Sequence, residues 1–367
     1  MTRAGPDALK APAKVPSVIG VPASRPHVEG RGVVRRRSWR AALLLVAVAA
    51  LVLVALASVA YGSKPIPLSR VLDAVFAFDD GSSDHLIVRS LRVPRTLVGV
   101  GVGTALGLAG ALMQGVTRNP LADPGILGVS AGASLAVVLA IYALDVTSLS
   151  AYVWFAFGGA AAASVIVYGL GSLGRDGATP VKLALAGAAL SALLGSVTTA
   201  ILLLDVATLD QFRFWVVGSL AGRDGTILRQ VAPFLGAGTI LGLGSARSLN
   251  TLSLGDDVAR SLGQRVGLAR ACAALAVVVL TGASVAAAGP IGFVGLTVPH
   301  VARTITGPDY RWVLPYSAVL APILLLGADI IGRVVARPGE LQVGIVTAIL
   351  GAPFFVALVR RRKLAAL

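Results

Sequence analysis

The chain has 367 residues, of which 56% are hydrophobic and only 13% are charged, and its mean hydropathy is +0.84. One soluble core cannot bury so much apolar surface, so this composition excludes a soluble globular protein and predicts a membrane protein. The net charge of +15 lies in tails and short loops between apolar runs. That placement is typical of cytoplasmic loops and argues against a nucleic-acid partner.

The N-terminal region is rich in Pro, Gly and Arg and ends in a basic cluster before the first apolar run. We predict that residues 1–38 form a disordered cytoplasmic tail and that residues 39–363 form the membrane domain. The first apolar run continues to about Tyr61 and is too long for a signal-peptide core, so we expect an uncleaved first span.

Apolar runs of about 17 to 24 residues predict an all-α polytopic membrane protein with ten membrane-spanning helices. Both termini are basic, and an even number of spans places them on one side, so we expect both in the cytoplasm. Residues 209–220 predict a short helix on the outer surface, ended by Gly222. The eighth span is the shortest and contains Pro299. The ten spans are expected near residues 41–61, 95–115, 126–144, 151–171, 182–204, 229–246, 269–288, 290–305, 312–334 and 342–359.

Residues 92–143 contain two apolar runs joined by a polar elbow that includes Asn119 and Pro120. In the first run small residues recur at every fourth position, which predicts a groove along one helical face where another helix packs closely. An elbow next to such a helix can move during function. The alternative is that the helix is stably buried and that this region has no moving role. The small residues are Gly99, Gly103, Gly107, Ala111 and Gly115.

The loop at residues 252–270 predicts a short helix. Two acidic residues favour its first turn, a glycine suits its C-terminal cap, and three apolar residues between them form a face that remains to be buried. A protein partner or the membrane surface could cover this face. In chain order these residues are Asp256, Asp257, Val258, Ala259, Leu262 and Gly263.

No GxxxxGK[ST] motif, paired carboxylates, histidine cluster or nucleophile arrangement occurs, so we expect no catalytic site and no ATP hydrolysis by this chain. The only cysteine, Cys272, excludes an internal disulfide and is expected to be a small core residue. His300 has no neighbours at metal-ligand spacing and is interpreted as a packing or capping residue.

Transport driven by an ion gradient usually needs an acid inside the membrane, and Asp329 is the clearest candidate. Arg333 follows it by four residues on the same helix face, so an ion pair is the simpler interpretation. Arg92 and Arg95 begin the second predicted span, and Arg333 ends the ninth. These three cations could receive carboxylates of a docking partner. The alternative is that they anchor the helices at the membrane surface.

Several long motifs follow one another along the chain. They are RVPRTLVGVGVGTALGLAGALMQGVTRNPLADPGILGVSAGAS, LSLGDDVARSLG, GPIGFVGLTVPHVAR, and ADIIGR followed by GELQVGIVTAILGAPFF. Over about residues 40–363 the chain resembles the permease family of iron-siderophore, haem and cobalamin ABC importers. The resemblance implies a type II importer in a bacterial cytoplasmic membrane. In such an importer two permease subunits, identical or different, surround a path, two cytoplasmic ATPases bind ATP-Mg, and an extracytoplasmic binding protein delivers the substrate.

The resemblance also implies residue roles and no cofactor on this chain. Arg92, Arg95 and Arg333 correspond to the family's docking arginines for the binding protein. Two segments correspond to gates of the path. The second segment differs from the family pattern, in which small residues with a hydroxyl group can occupy the corresponding positions. The gate residues are Asn119, Pro120 and Leu121 in the first segment and Pro180 and Val181 in the second.

Residues 254–263 resemble the family's coupling helices, which sit in a groove of the ATPase. The implied mechanism is alternating access, in which ATP binding on the partner moves this helix and exchanges the open side of the path. A ferric siderophore is the favoured cargo, an ion-coupled carrier using Asp329 is the main alternative, and a passive channel is a weaker one. The coupling residues are Leu254, Gly255, Asp256, Asp257, Val258, Ala259, Arg260, Leu262 and Gly263.

Overall fold

The structure is a computed structural model that describes residues 30–173 and 179–360, without the side chains of residues 30–37, 126, 180, 358 and 359. Within these ranges every regular element is a helix, as the apolar runs predict. The first helix begins at Gly30, so the end of the predicted tail, residues 30–38, is helical. The rest of the tail lies outside the described residues, and its disorder stays a prediction.

Fifteen α-helices occur in the described ranges. A π-helical stretch at Ile87–Arg92 precedes α4, and a 3₁₀ turn at Pro124–Leu127 precedes α5. The α-helices are α1 (Gly30–Ala60), α2 (Leu68–Phe76), α3 (Ser83–Leu86), α4 (Val93–Thr117), α5 (Val129–Leu144), α6 (Leu149–Gly171), α7 (Pro180–Leu204), α8 (Val206–Val216), α9 (Gly225–Gly244), α10 (Ala246–Leu252), α11 (Asp256–Ser261), α12 (Val266–Ala288), α13 (Val294–Thr306), α14 (Tyr310–Val335) and α15 (Val343–Arg360).

By length and composition, seven helical runs in the described part of the chain can cross a membrane. The shorter apolar helices α5 and α15 coincide with the third and tenth predicted spans. The eighth predicted span falls on α13, whose 13 residues reach about 20 Å, less than the roughly 30 Å of a hydrocarbon layer. The count of ten spans and the cytoplasmic termini therefore stay predictions.

Helix α13 begins later than the eighth predicted span, at Val294. Pro299 lies inside α13 and does not end it. Gly289 (φ 75°) ends α12, and Phe293 (φ 67°) precedes α13, so the residues between them are not helical. A Cβ atom at Gly289 would collide with the backbone carbonyl of Trp215. This close approach of α8 to the end of α12 explains the turn, because only glycine allows it.

Helix α4 is the central helix, and every residue from Ala105 to Val116 is buried. It packs against α9, α12, α13 and α14. Its ladder of glycines faces α14, where an added Cβ atom would meet side chains or backbone at each step. The two backbones can therefore approach closely, as small residues allow in membrane helices. Gly99 faces Leu326, Gly103 faces Pro322, Gly107 faces Ser317, and Gly115 faces Tyr310.

Two details of the bundle differ from the sequence prediction. The predicted outer-surface helix is α8, which ends at Val216 and not near residue 220, because Gly218 adopts a positive φ of 75°. Cys272 is exposed, so its prediction as a core residue is wrong. The buried face of α12 is instead formed by residues such as Ala273 and Ala276, one and four positions later.

Candidate functional site

Five charged residues lie together where α4 begins and α14 ends, and we call them the outer cluster because the predicted topology places them outside. Asp329 is fully buried. Its carboxylate accepts hydrogen bonds from Nε and Nη2 of Arg95 at 3.1 and 2.7 Å, and Arg333 Nη2 lies 2.9 Å away. Arg95 Nη1 also donates to Glu340 Oε2 at 2.7 Å. Because both oxygens of Asp329 face guanidinium groups, its buried charge is compensated. The fifth member is Arg92, which lines the same cavity.

Arg92 and Arg333 also bind the C-terminal end of α1, together with Arg337. Helix ends leave carbonyl groups without partners and carry partial negative charge, so cations are favourable there. Their donor–acceptor distances lie between 2.5 and 3.1 Å. The carbonyl groups are those of Val59, Ala60 and Lys64 for Arg92, of Ser58 and Tyr61 for Arg333, and of Gly62 for Arg337.

The structure brings the three predicted docking arginines together, but it also gives their guanidinium groups internal partners. Arg92 and Arg333 are 5% and 1% exposed, and the side chain of Arg95 is 11% exposed. The ion pair of Arg333 with Asp329 agrees with their spacing of four residues. The contacts of Arg95 with Asp329 and Glu340 span more than 230 residues, and no local sequence signal predicts them.

The first predicted gate segment is a pair of turns at the C-terminal end of α4. Arg118 ends the helix in the left-handed conformation, with φ of 50°. Asn119 Oδ1 accepts a hydrogen bond from the Leu121 N–H group at 2.9 Å, which fixes the chain around Pro120. Asp123 then accepts from the Gly125 N–H group at 2.8 Å and caps the 3₁₀ turn. The side chains of Asn119 and Leu121 are exposed.

The second predicted gate segment begins α7, which starts at Pro180. The side chain of Thr179 caps this helix by accepting a hydrogen bond from the Lys182 N–H group at 3.4 Å. Val181 is exposed. Helix α7 contacts the 3₁₀ turn at Pro124–Leu127. The helix that begins at the second predicted gate segment therefore contacts the turn that follows the first one.

The predicted coupling helix is α11, which begins at Asp256 as its acidic residues suggest. Gly255 and Gly263 flank it with φ of 108° and 80°, a conformation that side chains rarely adopt. Of the apolar residues in this segment, only Ala259 is buried. Val258 and Leu262 are 45% and 64% exposed, and Leu254 is exposed as well. The helix therefore presents an apolar surface that the described part of the chain leaves uncovered.

Salt bridges connect α11 to two neighbouring elements. The carboxylate of Asp256 pairs with Arg118 and accepts from Arg270 Nη2 at 3.0 Å. The neighbouring Asp257 pairs instead with Arg260, within the same helix, at 2.9 Å. The N-terminus of α11 is therefore connected to the first gate segment and to the start of α12, a connection that the sequence motifs did not indicate.

Arg303, in the same motif as His300, connects α13 to the end of α4. Its Nη1 donates to Gln114 Oε1 at 2.5 Å, and its guanidinium group lies 5.7 Å from the centre of the Tyr310 ring. His300 lies 6.4 Å from Phe354, ring centre to ring centre. Among the described residues no group of three or more His, Cys, Asp or Glu could hold a metal ion.

Comparison with known proteins identifies the family. The model of the FecCD transport family matches residues 50–361, which is most of the chain. The chain belongs to the FecCD transport family. A FecCD chain is the permease subunit of an ABC importer and not an enzyme, and the ATPase of the importer is a separate partner.

Two relatives and one solved structure are similar to this FecCD chain over most of its length. It is 50% identical over 306 residues to the ferric enterobactin transport system permease protein FepD of Escherichia coli (strain K12), covering 83% of this chain and 91% of that protein. It is 45% identical over 329 residues to the Fe(3+)-citrate import system permease protein YfmD of Bacillus subtilis (strain 168), covering 90% and 97%. A structure described as an inward-facing conformation of a metal-chelate type ABC transporter matches with a TM-score of 0.76 and 26% identity, covering 87% of this chain and 99% of that chain.

Proposed function

We propose that this chain is the permease subunit of an ABC importer for a ferric siderophore in a bacterial cytoplasmic membrane. The observation that carries the proposal is the sequence identity of 45% to 50% to two permease proteins whose names specify ferric chelates, enterobactin and citrate. The two cargoes differ in size and chemistry but share chelated iron. The cargo class that both support is therefore a ferric chelate.

The proposed mechanism is alternating access between the two sides of the membrane. Two permease subunits enclose the path, and ATP-Mg binds to two partner ATPases in the cytoplasm, whereas this chain binds no cofactor. Helix α7 suits a wall of the path or a contact with the second permease, because little of it is buried within this chain. Apolar and small side chains shield a large polar chelate without binding it tightly, so specificity resides in the extracytoplasmic binding protein.

Helix α11 is the proposed contact with the ATPase. Its exposed Val258 and Leu262 need a partner surface, because apolar side chains in the cytosol favour burial. We expect the double substitution Val258→Glu and Leu262→Glu to abolish copurification of the ATPase while the permease stays folded. Ser261→Glu, which adds a charge at an exposed position of the same helix, is the control and should retain the ATPase. Unchanged copurification of the double variant would contradict this contact.

The cargo can be tested by uptake in cells that lack their own iron-chelate and cobalamin permeases and express this chain with its ATPase and binding protein. The substrates are ferric enterobactin, ferric citrate, a ferric hydroxamate, haemin and cobalamin. We expect uptake of at least one ferric siderophore and none of cobalamin. Uptake of haemin or cobalamin alone would contradict the proposed cargo and leave the family assignment unaffected.

An ion-coupled carrier that uses Asp329 is not favoured. The carboxylate of Asp329 is occupied by Arg95 and Arg333, so it offers no free oxygen to a coupling cation. Protonation would leave the buried Arg333 without a carboxylate partner and Arg95 with Glu340 alone, which is costly. The geometry of Asp329 suits a structural ion pair.

A further inference from the structure

A cavity of about 350 Å³ opens at the outer cluster. Its wall is strongly cationic and combines the end of α1, the start of α4, the end of α14 and the turn before α9. A single carboxylate, that of Glu340, lines it directly. The cations in the wall are Lys64, Arg92, Arg95, Arg223 and Arg333.

In four of these five cations the terminal nitrogens donate to partners within the chain. Arg95 and Arg333 share Asp329, and Arg95 also binds Glu340. Arg92 donates to three backbone carbonyl groups, and Lys64 pairs with Asp84 at 2.8 Å. Three carboxylates pair with Lys64, Arg95 and Arg333, so Arg92 and Arg223 have no ion-pair partner among the described residues.

Arg223 is the exception among the five. It is only 4% exposed, and its Nε donates to the Ser219 carbonyl oxygen at 3.2 Å. Its two Nη nitrogens have no hydrogen-bond partner among the described residues. The adjacent Asp224 caps the N-terminus of α9, where its Oδ1 accepts from the N–H groups of Thr226 and Ile227 at 3.0 and 3.1 Å; within the described ranges it forms no ion pair with Arg223.

A buried guanidinium group without a counter-charge is energetically unfavourable. Burial and, to a smaller extent, the charge of Arg95 together lower the pKa of Arg223 to about 10. The group nevertheless remains charged at neutral pH. An anion in the cavity would relieve both the desolvation of Arg223 and its repulsion from Arg95.

We propose that Arg223 is the principal donor to a carboxylate side chain that the extracytoplasmic binding protein inserts into this cavity. The inference rests on the proposed function, because it needs a binding protein that docks on this face. The planar guanidinium fork of arginine matches a carboxylate with two parallel hydrogen bonds. In this assignment Arg92 and Arg333 hold α1 and shape the cavity, and Arg223 supplies the free hydrogen-bond donors.

The test uses the complete complex of permease and ATPase in lipid nanodiscs. The probe is the binding protein that supports ATP-driven uptake by this permease in proteoliposomes, and its Kd is measured with and without Arg223→Gln. We expect the Kd to rise by about 30-fold or more, because the partner's carboxylate would be left without its counter-charge. Arg213→Gln is the matched control, since Arg213 is an exposed arginine paired with Asp210, and its Kd should stay within about twofold. Equal losses in both variants, or no loss in Arg223→Gln, would overturn the proposal.

Two further measurements keep the test decisive if Arg223→Gln does not fold. Arg223→Lys keeps the charge without the planar fork, and we expect it to fold and to bind more weakly than the wild type. In the wild-type complex phenylglyoxal should modify Arg223 more rapidly than Arg92 or Arg333, and the docked binding protein should protect it. Protection by inorganic phosphate alone, or none by the binding protein, would overturn the proposal. Absence of any ATP-driven uptake would instead contradict the proposed function.

Discussion

Asp256, the first residue of α11, forms an ion pair with Arg118, the residue that ends α4 in the left-handed conformation. Arg270, near the start of α12, donates to the same carboxylate oxygen at 3.0 Å. One carboxylate therefore connects the proposed ATPase contact to the first gate segment and to a long buried helix. A displacement of α11 has a direct electrostatic path to the elbow at Asn119 and Pro120.

We predict that Asp256→Asn uncouples transport from ATP hydrolysis. The pairs of Asp256 with Arg118 and Arg270 are partly exposed, so the loss of each should cost at most about 1 kcal/mol of stability. ATP hydrolysed per molecule of imported chelate should rise several-fold, because the movement of α11 no longer pulls on Arg118. The measurement is the ratio of ATPase rate to uptake rate in proteoliposomes.

Asp257→Asn is the matched control for this prediction. It removes the same charge one residue later, but the Asp257 side chain is fully exposed and pairs only with Arg260 in its own helix. Its ratio of hydrolysis to uptake should equal that of the wild type. An equal change in both variants would show that the charge of α11 matters and that the connection to Arg118 does not.

We predict that Gly103→Ala destabilises the bundle. The added Cβ atom would lie 2.7 Å from the backbone nitrogen of Pro322 in α14, and backbone cannot yield as a flexible side chain can. Overpacking of this kind typically costs about 1 to 3 kcal/mol, measurable as a lower midpoint of thermal unfolding in detergent. Gly169→Ala in α6 is the control, because its Cβ atom would meet nothing within 4 Å. Similar midpoints for the two variants would contradict the close packing of α4 on α14.

We predict that Asp329→Asn strongly destabilises the folded chain. The substitution preserves the shape of the side chain but leaves Arg333 and Arg95 without their shared counter-charge, a loss of about 3 to 5 kcal/mol. The expected result is a low yield of folded protein and a lower unfolding midpoint. A variant that folds with unchanged stability but no longer transports would contradict the structural ion pair and favour the ion-coupled carrier.

We predict a pH-dependent contribution of Glu340 to stability. Burial alone raises the pKa of Glu340, but the charge and hydrogen bond of Arg95 outweigh it and hold this pKa below its ordinary value of 4.5. The stabilisation is therefore complete above pH 4.5 and is lost as the pH falls through the lower folded-state pKa. The difference in unfolding midpoint between wild type and Glu340→Gln should be constant near neutral pH and shrink below pH 4.5. A difference that grows in acid would contradict the Arg95 contact.

Local patterns predicted much of the fold and part of the site. Apolar runs indicated the long helices, because a span needs about 20 apolar residues whatever its neighbours are. Spacing predicted the pair of Asp329 and Arg333, which lie one helical turn apart. The acidic pair at Asp256 and Asp257 correctly marked the start of α11.

Features that depend on tertiary contacts could not be predicted in this way. The pairing of Arg95 with Asp329 joins the start of α4 to the end of α14, and a single sequence does not reveal such a partner. The end of α12 at Gly289 depends on the close approach of the Trp215 carbonyl group. Arg223 belongs to no motif, and only the cavity around it distinguishes it from other basic loop residues.

Uptake of a ferric siderophore into proteoliposomes that contain this permease with its ATPase and binding protein tests the proposed function directly. The assay is run with and without ATP inside the vesicles and with and without an uncoupler that collapses ion gradients. We expect accumulation that requires ATP and the ATPase and that persists with the uncoupler. Accumulation by the permease alone, driven by an ion gradient and abolished by the uncoupler, would contradict the proposed function.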